Sequence, residues 1–102
     1  GGPEHQAIQN FIAGKLGPGS TEKAFGSRFA DAAGQGEIHQ IGGLNARWDP
    51  ISRERSAVKS IINSGDYANQ RVFFWDKANP TATEPTLEYV NGAWEPFLGV
   101  WR

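Results

Sequence analysis

The sequence predicts an α+β domain of about three helices with a short antiparallel sheet or hairpin. Three observations lead there. Ile8, Phe11, Ile12 and Leu16 fall on one face of a helix over residues 4–16. Val72-Phe73-Phe74-Trp75 is an unbroken apolar run of strand-forming residues that gives way abruptly to Asp76-Lys77-Ala78-Asn79-Pro80. Asn91-Gly92 stands between two apolar runs, a strong short-range hairpin signal. At 102 residues the chain has room for one core, so residues 1–102 form a single domain.

Taken in order, Pro3 and Glu4 suit the first turn of the opening helix, one for its fixed φ and the other for its charge at the positive end of the macrodipole. Gly17-Pro18-Gly19 ends it. Ser20 or Thr21 is positioned to cap a second helix with Ala24, Phe25, Phe29 and Ala32 on its core side and a stop near Gly34. Glu37-Ile38-His39-Gln40-Ile41 alternates polar and apolar, as a short half-exposed strand or extended loop does. Asp49 as N-cap, Pro50 at the first helical position and Gly65 past the last turn bracket a third helix with Ile51, Val58, Ile61 and Ile62 as its stripe. The strand Arg71–Trp75 follows, emerging at a surface suited to a binding cleft. A Pro/Thr-rich loop over residues 79–86 then leads to a hairpin of Leu87–Val90 and Trp94 onward.

Composition narrows the function. Net charge is −1 with cations scattered along the chain, so no basic field exists to hold a phosphate backbone, which argues against general nucleic-acid binding. No apolar run approaches the ~20 residues of a membrane span, and no signal peptide is visible. Cysteine is absent, which excludes disulfides, thiolate metal sites and a cysteine nucleophile. The chain opens on Gly1-Gly2-Pro3 without Met, as a processed or N-terminally truncated domain does.

His5 and His39 are the only histidines, and no clustered carboxylates or HExxH spacing surround them; both are expected at the surface, with no metal site. Gly17-Pro18-Gly19-Ser20-Thr21 lacks the spacing of a phosphate-binding loop. His39 with Arg47 admits an alternative reading as the base and phosphate-holding arginine of a secreted RNase-type toxin. The plainer reading of Arg47-Trp48-Asp49 puts Trp48 on the core and Asp49 on the helix end. Trp48 and Trp75 with Asp76 also suit a glycan cleft, where aromatic faces meet sugar rings and carboxylates move protons.

Several segments, in order, resemble the cell-wall hydrolase family of spore-cortex-lytic type, lysozyme-like enzymes acting on peptidoglycan. Residues 4–16 are similar to the family's Glu-Gly-Gln-Ala helix, with Gly14-Lys15 where Asn-Arg is usual. Gln35-Gly36-Glu37 or His39-Gln40 stands where the family has a Gln-Phe segment. Ala57 to Asp66 looks like its helix ending in Gly-Asp, and Val72 to Asn79 like its aromatic strand. The match is loose and covers about residues 4–80. In that alignment the family's catalytic glutamate falls just before Gly1, which leaves Glu37, beside Ile38, or Glu4 to act as the acid.

The resemblance implies a small lysozyme-like domain that cleaves or binds peptidoglycan glycan strands as a glycosidase or lytic transglycosylase. It implies no cofactor and a secreted, periplasmic or cell-wall location. Catalysis would fall to Glu37 or Glu4, with an apolar setting raising the acid's pKa. Gln35, His39, Gln40, Arg47, Trp48, Trp75 and Asp76 are the candidate substrate contacts. A further alternative is a non-catalytic phage or secretion-system module, with an immunity or structural protein as partner.

Overall fold

The computed structural model describes residues 2–65 and 69–102; Gly1 and Asp66, the last residue of the segment compared with the family helix, lie outside the described residues. Among the described residues, two helices and six strands follow one another as α1 (Pro3–Leu16), β1 (Thr21–Phe25), β2 (Arg28–Gly34), β3 (Glu37–Gly42), α2 (Ser52–Ile62), β4 (Arg71–Asp76), β5 (Leu87–Val90) and β6 (Ala93–Pro96). The strands form one mixed sheet in sequential order, every neighbour antiparallel except β3 and β4, which run parallel from Glu37↔Arg71 to Gly42↔Asp76.

A parallel pair cannot be closed by a tight turn, and the crossover that joins it carries α2. Neighbouring residues along a strand face opposite sides of the sheet. Ala32, Ile41 and Trp75 accordingly pack with Ile8, Ile12 and Leu16 of α1, while Ala33, Ile38 and Val72 pack with Val58 and Ile61 of α2. The sheet is thus sandwiched between one helix per face, each burying a separate apolar cluster. No helix among the described residues is long and apolar enough to cross a membrane.

This architecture overturns the expected three-helix, lysozyme-like domain with a short hairpin. The segment expected as a second helix is the β1–β2 hairpin, with Phe25 paired to Arg28 across Gly26-Ser27. Its alanines, Ala30, Ala32 and Ala33, are helix formers by propensity, yet β2 touches both helices and only small side chains let them approach. Phe29, expected in the core, is 61% exposed. β3 is buried along its whole length rather than half-exposed, because it is a central strand with a helix over each face.

The other elements lie where the spacing put them. α1 buries Ile8, Ile12 and Leu16. β4 buries Val72 through Trp75, and Asn91 and Gly92 turn the β5–β6 hairpin with positive φ at both positions. α2 starts at Ser52 with Ile51 at its N-cap and no side-chain cap, so Asp49 does not cap it. Pro50 instead pairs with Leu44 in an isolated bridge, closing a loop braced by the Asn45 side chain, which accepts the backbone N–H groups of Arg47 and Asp49.

Two truncations test the observed core, and the one at Phe29 separates it from the expected core. Ile12→Ala, at a position with no exposure, should cost about 2–5 kcal/mol in urea unfolding. Phe29→Ala should stay within about 0.5 kcal/mol of wild type.

Candidate functional site

The expected site residues divide among three places. The first is an enclosed polar network on the α1 face of the sheet. His39, fully buried, stacks on Phe73 at 5.0 Å and meets Trp75 and Trp101 through its ring. An indole N–H can only donate, so the 2.8 Å bond from Trp75 Nε1 makes His39 Nδ1 the acceptor. The proton then sits on Nε2, which donates to Glu37 Oε1 at 2.9 Å. Glu37 Oε1 also accepts from Trp101 Nε1 at 2.9 Å, and Oε2 from Arg102 at 3.1 Å. Arg102 reaches on to Gln35, which donates in turn to the Leu16 carbonyl at the end of α1.

Burial by itself would raise the Glu37 carboxyl, but hydrogen bonds from His39, Trp101 and Arg102 outweigh it and hold the group at about 2, below the ordinary 4.5. Burial pushes His39 down from 6.5 against the opposing pull of Glu37, so the ring is neutral near pH 7. These values correct two expectations. Glu37 is not a carboxylic acid kept protonated by apolar surroundings, because three donors stabilise its charge. His39 is not a surface residue: it is fully buried, and both ring nitrogens are hydrogen-bonded inside the protein. Trp75, with no exposed surface, offers no face to a sugar. The network is a structural hub.

The second place is the loop before α2. Trp48 does not pack on the core; it is 66% exposed and held at φ 62. With Arg47 and Asp49 it lines a small hollow against Leu87, Trp94 and Pro96.

The third place is a cleft where the C-terminal ends of β3 and β4 meet the N-terminal turns of both helices. Ligands in open sheets with parallel strands favour this end of the strands. The cleft, of about 250 Å³, is lined by His5 from α1, Asp31 from β2, Gln40 and Gly42 from β3, Arg53 and Glu54 from α2, and Lys77. It adjoins a wider groove of about 770 Å³ that shares Gly2, His5 and Lys77 and adds Glu4, Leu44 and Asp76. Of the expected residues, therefore, Glu4, Gln40 and Asp76 come together here, while Glu37, Gln35, His39 and Trp75 belong to the hub and Arg47 and Trp48 to the loop.

Asp31 sits where the β2–β3 pairing stops, one residue beyond Ala32↔His39. Its backbone N–H goes to the Gln40 side chain at 2.7 Å. Its carboxylate accepts from Ile41 N–H at 2.8 Å and faces His5 Nε2 at 3.1 Å. Burial raises the Asp31 carboxyl, with Ile41 and His5 pulling it part of the way back. Glu54 is raised by burial first and by the charge of Asp31 second. Among the described residues its one ion pair, to the exposed Arg53, is long at 3.9 Å.

Gly42 makes this arrangement possible: a Cβ there would stand 2.8 Å from the Glu54 carboxyl. Asp31 and Glu54 thus line one concavity, and burial is the first cause that raises each carboxyl. Neither Asp31 nor Glu54 was singled out in the sequence. The available signal was Asp31 itself, one charge inside the run Phe29-Ala30-Asp31-Ala32-Ala33. Among the described residues, no group of three or more His, Asp or Glu is arranged to hold a metal ion.

Set against family models, curated proteins and solved structures, the chain finds no match.

Two outcomes follow from this electrostatics. The lowered pKa of Glu37 means its stabilisation is complete above pH 4.5 and is lost as pH falls towards about 2. Glu37→Gln should therefore cost about 3 kcal/mol at pH 7 and progressively less in acid, measured by urea unfolding across pH. Gly42→Ala should leave stability almost intact, because the clashing atoms end a flexible side chain, while the displaced Glu54 carboxyl returns towards ordinary titration in carboxyl NMR.

Proposed function

We propose that the protein is a small acid–base hydrolase in which Glu54 and Asp31 cleave a glycosidic bond, with peptidoglycan glycan strands as the substrate class. The observation that carries this reading is that Asp31 and Glu54, each raised by burial, line one cleft that adjoins a groove. The groove's volume falls within the usual range for small-ligand sites of about 300–1,000 Å³. The substrate class rests on the loose family resemblance; the acid is reassigned from Glu37.

Roles follow from hydrogen bonding. Asp31 has the Ile41 N–H and His5 to stabilise its charge, whereas among the described residues Glu54 has only a long contact to Arg53. Glu54 is therefore assigned as the acid and Asp31 as the base. In the reaction Glu54 gives its proton to the leaving glycosidic oxygen as the bond to the anomeric carbon breaks. Asp31 takes a proton from the attacking water, or from a substrate hydroxyl, as the new bond forms. Transfer of that proton from Asp31 to Glu54 restores the starting state. Gln40 holds the Asp31 backbone in place, and Glu4, Asp76 and Lys77 border the path along which a strand would lie. Such a substrate is met at the cell wall, so this reading carries a secreted or periplasmic location with it, and an immunity or structural protein is the partner class it allows.

The decisive measurement pairs turbidity loss of purified sacculi with thermal unfolding. A group with a raised pKa opposes folding while ionised, so Glu54→Gln should raise the melting temperature at pH 7. The same change should lower the clearing rate at least about 100-fold. Retained clearing by Glu54→Gln would reject the assigned acid; no clearing by wild type would reject the substrate class.

A further inference from the structure

Another face of α2, together with the β5–β6 hairpin, encloses a second hollow of about 400 Å³. One wall is a single helical face: Ser52, Arg55, Ser56 and Lys59 recur at the spacing of successive turns, giving two hydroxyls and two cations side by side. The opposite wall is Tyr89 and Trp94, and Val58 lies between.

Three features give this hollow a chemistry. Among the described residues no carboxylate lines it. Glu54 is turned towards Gly42, and strand alternation puts Glu88 and Glu95 on the other face of the hairpin from Tyr89 and Trp94, where Glu88 is engaged by Arg71. Among the described residues neither Arg55 nor Lys59 forms an ion pair. Arg55 is anchored by donating Nη1 to the Pro50 carbonyl, which fixes its fork at low entropic cost. A local positive region therefore exists in a chain of net charge −1.

The aromatic wall is equally fixed. Trp94 is half-buried, tilted against Tyr89 at 5.0 Å and set edge-on to Phe74 at 5.9 Å. An oriented indole beside a cluster of cations and hydroxyls matches a ligand with an anionic head and a flat ring.

We propose that this hollow binds a phosphate monoester carrying a planar ring, the chemistry of a nucleoside 5′-monophosphate. Arg55, Lys59, Ser52 and Ser56 hold the phosphate, and Trp94 stacks on the ring. The site is separate from the Asp31–Glu54 cleft and does not depend on the activity assigned there.

The test is calorimetric titration with adenosine 5′-monophosphate, followed in parallel by tryptophan fluorescence, with adenosine and inorganic phosphate as separate probes. The monophosphate should bind saturably and quench a signal that Trp94→Phe removes. Adenosine and phosphate should each bind at least about tenfold more weakly, since each lacks half of the contacts. Lys59→Gln, at an exposed position that leaves the fold intact, should weaken the monophosphate by about tenfold or more. Absence of saturation up to about 10 mM monophosphate, far weaker than specific binding, would overturn the proposal. So would equal affinity in Lys59→Gln, or equal affinity for inorganic phosphate.

Discussion

The parallel pairing of β3 with β4 is the constraint on which the remaining architecture depends. Because those strands run the same way, the chain between them must cross the sheet, and it does so with α2. α1 then takes the opposite face, and the two central strands lose contact with water on both sides. Two results follow from this burial. Polar residues on β3 must find partners inside the protein, which assembles the hub around His39. The ends of the two strands must open somewhere, and they open between the first turns of both helices, where Asp31 and Glu54 meet.

The same side-chain chemistry is tuned in opposite directions at these two places. Glu37 and Glu54 are both largely withdrawn from solvent, and burial acts on each in the same sense. What separates them is the supply of donors. Glu37 receives an imidazole N–H, an indole N–H and a guanidinium, so its charge is stable and its role is structural. Glu54 faces the backbone at Gly42 and the negative charge of Asp31, so its neutral form is favoured. Apolar neighbours in sequence, which pointed to Glu37, say nothing about donors arriving from distant strands.

Elements governed by local spacing were legible in the sequence. The 8/12/16 stripe of α1, the apolar run of β4 and the Asn91-Gly92 turn each carry their signal within a few residues. The stretch from Ser20 to Gly34 was not legible, because alanine favours a helix by propensity and the need for small residues beneath two packed helices is a tertiary fact. The site was partly legible in the same sense. Gln40 reaches the cleft and Glu4 and Asp76 the adjoining groove, but Asp31 and Glu54 lie apart in sequence and are brought together by the fold. The hub was illegible for a similar reason: the bonds that bury His39 and Glu37 come from Trp75 and Trp101, on segments far along the chain.

That distance has a bearing on how the molecule is made. The bond from Trp101 to Glu37 spans 64 residues, and a ribosome delivers the chain from the N-terminus at about 5–20 residues per second. α1, the β1–β2 hairpin and β3 therefore emerge seconds before the indole that completes the shell of His39. During that interval the imidazole remains hydrated and free to take up a proton, and the nascent sheet has an open central edge that β4 alone can close. The shell around His39 is thus complete only once Trp101, which lies beyond β6, has joined it.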